Sequence, residues 1–300
     1  MWSITAMADV WGWFADPLEF EFMRRALLAV ALVGVVSAVV GAFVVVRGMV
    51  FIGDALAHAS FAGVAAAFAL GVSIYLGAIV AALVTALGIA FISQRGRLRF
   101  DTAIGVLFVG AFALGIVIVS RQENYTVDLF SFVFGQVFGV SWGDVLLMAI
   151  IGAIVVTLIA AFYKELLFTA YDPTVAAAAG VPTRLMEYGL LALVALSTVV
   201  ALQAVGIVLV IAMLVTPAAT ASLLVRRLHH VIFVGVAVAL ASSVIGLYVS
   251  YHAGLASGAT IVLVATAFFT VALLFAPRRG IIARWRLDRE RRAQLAQASP

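Results

Sequence analysis

The segment RGMVFIGDALAHASFAG, residues 47–63, puts a carboxylate and an imidazole four residues apart in an otherwise apolar setting. On a helix, Asp54 and His58 share a face and their side chains converge. A carboxylate oxygen and an imidazole nitrogen are both ligands for divalent first-row metals. Two donors leave a site of about four to six positions incomplete, so the others would come from another helix, a second copy of the chain, or water. A weak, incomplete site suits an ion that must leave as well as arrive. The pair has other uses: a hydrogen bond that ties helices together, an N-cap supplied by Asp54 after Gly53, or a proton relay. An ionised carboxylate at the centre of a membrane helix costs roughly 2.5–3.5 kcal/mol on insertion scales, so it faces a cavity or a partner.

The elements that must position this pair follow from composition. Of the 300 residues, 66% are hydrophobic and 11% charged, against roughly 25% charged in a soluble domain. Mean hydropathy is +1.23. The fold class is therefore all-α: a polytopic helical membrane protein. The apolar runs are continuous and do not alternate, which disfavours a β-barrel. The absence of cysteine excludes disulfides, thiolate zinc sites and iron–sulfur clusters. The first 20 residues lack a basic stretch before an apolar core, unlike a cleavable signal peptide.

Apolar runs mark spans at 26–46, 54–71, 74–93, 102–119, 143–163, 231–250 and 258–276. The run 188–225 is too long for one crossing of a core about 30 Å thick. Division near Gln203 and Gly206 gives nine spans; eight follow if that division or the short second span fails. Positive charge sets the orientation: an outside N-terminus and a cytoplasmic C-terminus put 15 of the 18 Lys and Arg residues inside. Residues 1–22 then form an outer interfacial segment in which Trp2, Trp11, Trp13 and Phe14 suit the aromatic belt. Residues 23–277 form the transmembrane domain and 278–300 an Arg-rich cytoplasmic tail. Anionic headgroups explain that tail more simply than nucleic acid does. Residues 127–142 are expected to be re-entrant or interfacial on the outer face, or else an extension of the next span. Gly135–Gly139 and Gly254–Gly258 have the spacing of close-packing helix motifs.

The longest inside connection, 164–188, contains a short-helix signature. Asp172 is placed to cap, Pro173 fits the first helical position, Gly180 supplies a left-handed C-terminus and Pro182 forbids continuation. Such a helix either tidies a turn or serves as a knob for a cytoplasmic partner. His229 and His230 are expected to be solvated, His252 to be an interfacial anchor, and Gln203 to hydrogen-bond at the hairpin or between helices.

Over about residues 17–280 the chain resembles the permease subunit of bacterial ATP-binding-cassette importers for zinc, manganese or related divalent cations. The resemblance rests on PLEFEFMRRAL, VVGAFVVVRGMVFIGDALAHASFAGVA, DTAIGVLFVGAFALG, YTVDLFSFVFGQVFGVSW, FYKELLF, YDPTVAAAAGVP, ALQAVGIVLVIAMLVTPAATA and GLYVSYHAGLASGATIVLVATA, in that order. It implies a permease dimer with a central path in the bacterial cytoplasmic membrane. It also implies separate cytoplasmic ATPase subunits and an extracellular metal-binding lipoprotein. It makes Asp54 and His58 transient ligands of a transported Mn, Zn or Fe cation, with no permanently bound cofactor. It makes Asp172, Pro173, Thr174, Ala177, Gly180 and Pro182 the ATPase-coupling residues.

The chain has no GxxxxGK[ST] phosphate loop, so ATP would act only through a partner, and the chain is expected to be a transport subunit rather than an enzyme. The rival reading is a proton-coupled secondary metal transporter with Asp54 and His58 as the relay. An intramembrane hydrolase is disfavoured: HExxH is absent, and Ser60 lies two residues from His58, a spacing that does not face it on a helix.

Overall fold

A computed structural model of the chain describes residues 13, 15–96, 98–121, 135–276 and 280–282. Among these, nine helices are long and apolar enough to cross a membrane. They are α1 (Glu21–Val46), α2 (Ile52–Leu70), α3 (Ile74–Gly96), α4 (Phe100–Val119), α5 (Trp142–Ala161), α8 (Thr183–Val205), α9 (Ile207–Leu224), α10 (Leu228–Ala253) and α11 (Ser257–Phe275). Two short helices, α6 (Tyr163–Tyr171) and α7 (Pro173–Ala178), connect α5 to α8. Helices pair the backbone groups of their interiors within one segment, as hydrocarbon demands.

The expected division of the 188–225 run is present. Gly206, with φ 83° and ψ 164°, separates α8 from α9. That backbone region is essentially restricted to glycine, so one residue breaks an otherwise continuous apolar stretch. The side chain of Gln203 lies outside the described residues, as do Trp2, Trp11, Phe14, residues 122–134 and nearly all of the Arg-rich tail.

The described part of 127–142 is not an extension of the next span. Residues 135–141 contain one 3₁₀ turn, Val137–Gly139, and α5 starts afresh at Trp142. Ser141 and Asp144 form a reciprocal capping box there. Gly135 lies so close to the Val205–Gly206 backbone that a side chain there would collide with it. The two GxxxG spacings do not act as helix-packing motifs: Gly135 precedes the 3₁₀ turn that Gly139 ends, and Gly254 terminates α10.

Close helix packing uses other glycines. A β-carbon on Gly63 of α2 would strike the Gly77 carbonyl of α3, and one on Gly77 would strike the Gly63 carbonyl. On α4, one on Gly115 would lie 2.8 Å from the Phe61 ring and 3.0 Å from the Ala62 backbone of α2. On Gly53 it would lie 2.6 Å from the Leu214 side chain of α9. Small residues let membrane helices approach closely, where dispersion contacts and not the hydrophobic effect hold them. These contacts seat α2 between α3, α4 and α9. We expect Gly63→Val to destabilise the purified protein by about 1–3 kcal/mol, the usual cost of overpacking. Thermal unfolding in detergent measures this; an unchanged midpoint would mean that α2 and α3 have room to part.

The helix ends are tied by polar contacts. At the end holding the start of α1, the Trp142 indole donates to Glu21 Oε1 at 2.8 Å. Nearby, the Tyr75 hydroxyl donates to Asp144 Oδ1, also at 2.8 Å. Trp13 stacks on His252 with ring centroids 4.4 Å apart, and its carbonyl meets His252 Nε2 at 3.1 Å. His252 is thus an anchor at a helix end, as expected. His229 and His230 are exposed in the first turn of α10.

Candidate functional site

Asp54 lies in the first turn of α2 and His58 in the second. The turn before them is set by Gly48, Met49 and Ile52: the Met49 amide donates to the Val44 carbonyl and the Ile52 amide to the Met49 carbonyl. Met49 and Ile52 are fully buried, which fixes where α2 begins. The unpaired amides of a helix N-terminus favour an anion, so Asp54 sits where a carboxylate is electrostatically welcome.

His58 Nδ1 is 3.1 Å from Asp54 Oδ1 and 2.9 Å from the Asp54 carbonyl oxygen. Both neighbours are acceptors, so Nδ1 carries the proton and shares it between them. That leaves the Nε2 lone pair available to a ligand, with the ring held by a carboxylate in the way metal-ligating histidines usually are. The contact is within one helix and ties no helices together. Nor does Asp54 cap α2, whose first turn has no side-chain cap. Two of the alternatives open at the sequence level are thereby removed.

The pair is not sealed in the core. The side chains of His58 and Asp54 keep 27% and 37% of their surface accessible in the single chain, while most neighbours on α2 are buried. No group of three or more His, Cys, Asp or Glu side chains arranged to hold a metal occurs among the described residues. Among the described residues the pair thus presents two donor groups on an open face.

Two residues at this site had not been singled out. Phe108 and Phe112 of α4 meet the His58 ring edge-on at centroid distances of 5.2 and 5.5 Å. They stand four apart, so they share a face of α4. That spacing is visible in DTAIGVLFVGAFALG, but it reads as an ordinary apolar stripe until α4 is placed against α2. The rings border the imidazole without competing for its lone pair.

The 164–188 connection forms the expected short helix. Asp172 Oδ1 accepts from the Thr174 and Val175 amides at 3.1 and 2.9 Å, and Pro173 takes the first position of α7. Gly180, at φ 84°, ends it, and the Gly180 and Val181 amides return to the Ala177 and Ala176 carbonyls. Ala176 is buried, whereas Thr174, Ala177 and Gly180 are exposed. More of the connection is helical than expected. Residues 163–171 form α6, and α8 begins at Thr183, before the apolar run. Hydropathy marks where a helix enters oil, whereas capping and hydrogen bonding mark where it starts.

Comparison with known proteins gives these features a context. The sequence profile of the ABC 3 transport family matches residues 19–276. A manganese transport system membrane protein, MntC of Listeria monocytogenes, is 44% identical over 265 residues, covering 88% of this chain and 94% of the relative. A probable iron transport system membrane protein of Haemophilus influenzae is 36% identical over 270 residues, covering 90% and 99% of the two chains. In the structure of PsaBC from Streptococcus pneumoniae in complex with Fab, a chain 37% identical superposes with a TM-score of 0.79, covering 90% of this chain and 97% of that one. The match spans all nine candidate membrane helices and the connection between them, and the chain belongs to the ABC 3 transport family.

Proposed function

We propose that this chain is the permease subunit of an ATP-binding-cassette importer that carries a divalent transition-metal cation, with Mn²⁺ the first candidate and Fe²⁺ the second. One observation carries the assignment of the site: in a chain of this family, a carboxylate and an imidazole one helical turn apart remain open on a helix that is otherwise packed by small residues. The relatives' names supply the metals. Oxygen and imidazole donors accept Mn²⁺, Fe²⁺ and Zn²⁺ alike, so the donor set by itself does not choose.

Asp54 and His58 act as transient ligands. A second copy of the chain supplies the matching pair, giving four protein donors about a shared path. The N-terminus lies outside and the C-terminus in the cytoplasm, because Arg47, Arg95, Arg99, Lys164, Arg184, Arg226 and Arg227 then fall on the inner side. Segment 164–188 docks a cytoplasmic ATPase, with Asp172, Pro173, Thr174, Ala177, Gly180 and Pro182 shaping the knob. An extracellular lipoprotein delivers the cation. The protein is multi-pass in the bacterial cytoplasmic membrane and is not itself an enzyme.

The test is uptake into proteoliposomes holding the chain with its ATPase and loaded lipoprotein, metal by metal. ATP-dependent uptake of Mn²⁺ above Fe²⁺ and Zn²⁺ is expected. Uptake by the chain alone, driven by a pH gradient, would establish the proton-coupled reading instead.

A further inference from the structure

The polar contacts around α6 and α7 single out one link. Arg47 follows the last residue of α1 and opens the turn to α2. Its Nη2 donates to Thr169 Oγ1 of α6 at 2.8 Å. The Thr169 hydroxyl in turn donates to the Leu166 carbonyl at 3.1 Å. Its only hydrogen is thus committed, and the side chain is buried, so its lone pairs are held toward the guanidinium. No other side-chain hydrogen bond from α6 or α7 reaches a different element among the described residues.

Both ends of this bond have stiff connections. On one side, the Gly48, Met49 and Ile52 amides are all bonded within the turn that leads to Asp54. On the other, α6 ends at Tyr171 and Asp172 immediately caps α7. The bond therefore joins the turn before the Asp54–His58 pair to the arm that carries α7.

The cleft around it is not tightly filled: Val46, Phe100, Thr183 and Glu187 line it with Arg47 and Thr169. Burial draws the Arg47 pKa below its ordinary value while the Glu187 carboxylate pushes it back. Arginine stays charged through such shifts, so the bond to Thr169 is charge-assisted and partly out of water. Arg47 Nε, Glu187 Oε1 and Gln94 Nε2 are shielded from solvent and make no hydrogen bond with described residues. The Phe43 and Tyr163 rings, with centroids 6.2 Å apart, also join α1 to α6, and Arg47–Thr169 is the side-chain hydrogen bond between them among the described residues.

We propose that Arg47 and Thr169 are positioning residues that transmit displacement of α7 to the turn bearing the metal ligands. The inference rests on the importer reading above. ATPase movement at α7 pulls α6, α6 pulls Arg47, and Arg47 moves the start of α2 relative to Phe108 and Phe112.

The test compares wild type, Thr169→Val, Thr169→Ser and Arg47→Lys in proteoliposomes containing the whole importer with Mn²⁺-loaded lipoprotein. Valine keeps the shape of threonine and removes the acceptor; serine restores it. In Thr169→Val, Mn²⁺ imported per ATP hydrolysed is expected to fall about tenfold, with the complex assembled and basal ATP hydrolysis within about twofold of wild type. Serine should recover most of the ratio. Arg47→Lys, which keeps the charge but loses the planar fork, should lower it as well, and combining it with Thr169→Val should add little. A wild-type ratio in Thr169→Val would overturn the link and leave the importer reading intact. Loss of assembly in both Thr169→Val and Arg47→Lys would overturn it too, by showing a purely structural role. Failure of wild type to import any metal with ATP would instead remove the importer reading on which it rests.

Discussion

Asp54→Asn and His58→Ala, each alone, should abolish ATP-driven cation uptake while leaving the permease folded and bound to its ATPase. The separation of effects follows from the geometry. The Asp54–His58 contact lies within one helix, so breaking it releases no helix from another. Both side chains are partly accessible, so neither change opens a large cavity. Asparagine keeps the size of aspartate but loses the charge that pairs with a divalent ion. Alanine removes the proposed ligand Nε2 and the ring beside Phe108 and Phe112, so His58→Gln serves as a bulkier control. Loss of a residue that merely orients a metal ligand costs about 10–100-fold in affinity. Loss of a ligand should cost at least that, and no group of three or more His, Cys, Asp or Glu side chains occurs among the described residues to take its place. Radiolabelled Mn²⁺ uptake beside co-purification of the ATPase is the measurement. Normal uptake by both variants would refute the assigned site, whatever becomes of the family membership.

The second large effect concerns α7. Ala177→Trp should prevent the ATPase from engaging while the permease remains intact. Ala177 is exposed and its neighbour Ala176 is fully buried, so α7 is seated by Ala176 and presents Ala177 outward with Thr174, Val175 and Ala178. A knob of methyl groups fits a cleft closely, and an indole there cannot be accommodated by rotation of a short side chain. Changes at the centre of a docking surface commonly cost 2 kcal/mol or more, which is roughly a 30-fold loss of affinity. The expected outcome is a well-behaved permease that no longer co-purifies with its ATPase and no longer imports. An Ala177→Trp variant that binds and transports normally would place the docking surface elsewhere on the connection.

How much was legible beforehand differs between backbone and site. The break at Gly206 could be read because a 38-residue apolar run exceeds what one crossing needs. The short helix could be read in full because Asp172, Pro173, Gly180 and Pro182 each act on their own local backbone. The extra helix α6 escaped notice because YKELLFTAY has neither strong hydropathy nor a capping residue, and its order comes from Leu166 and Thr169 being buried against the bundle. The GxxxG spacings misled for a related reason: spacing does not say whether a glycine is within a helix. The glycines that do the packing, Gly63 with Gly77 and Gly115 against Ala62, lie on different helices and share no local pattern.

By itself the sequence determined the class of protein, the nine spans, the capped connection and the identity of the Asp54–His58 pair. Each depends on composition or on interactions within a few residues. Only the tertiary structure decided that Nδ1 of His58 is occupied by Asp54, that Phe108 and Phe112 border the ring, and that Arg47 reaches Thr169 across 122 positions of chain. Those contacts depend on which helices lie side by side, and in an apolar solvent that choice is made by close surface fit and sparse polar bonds, neither of which leaves a periodic mark in the chain.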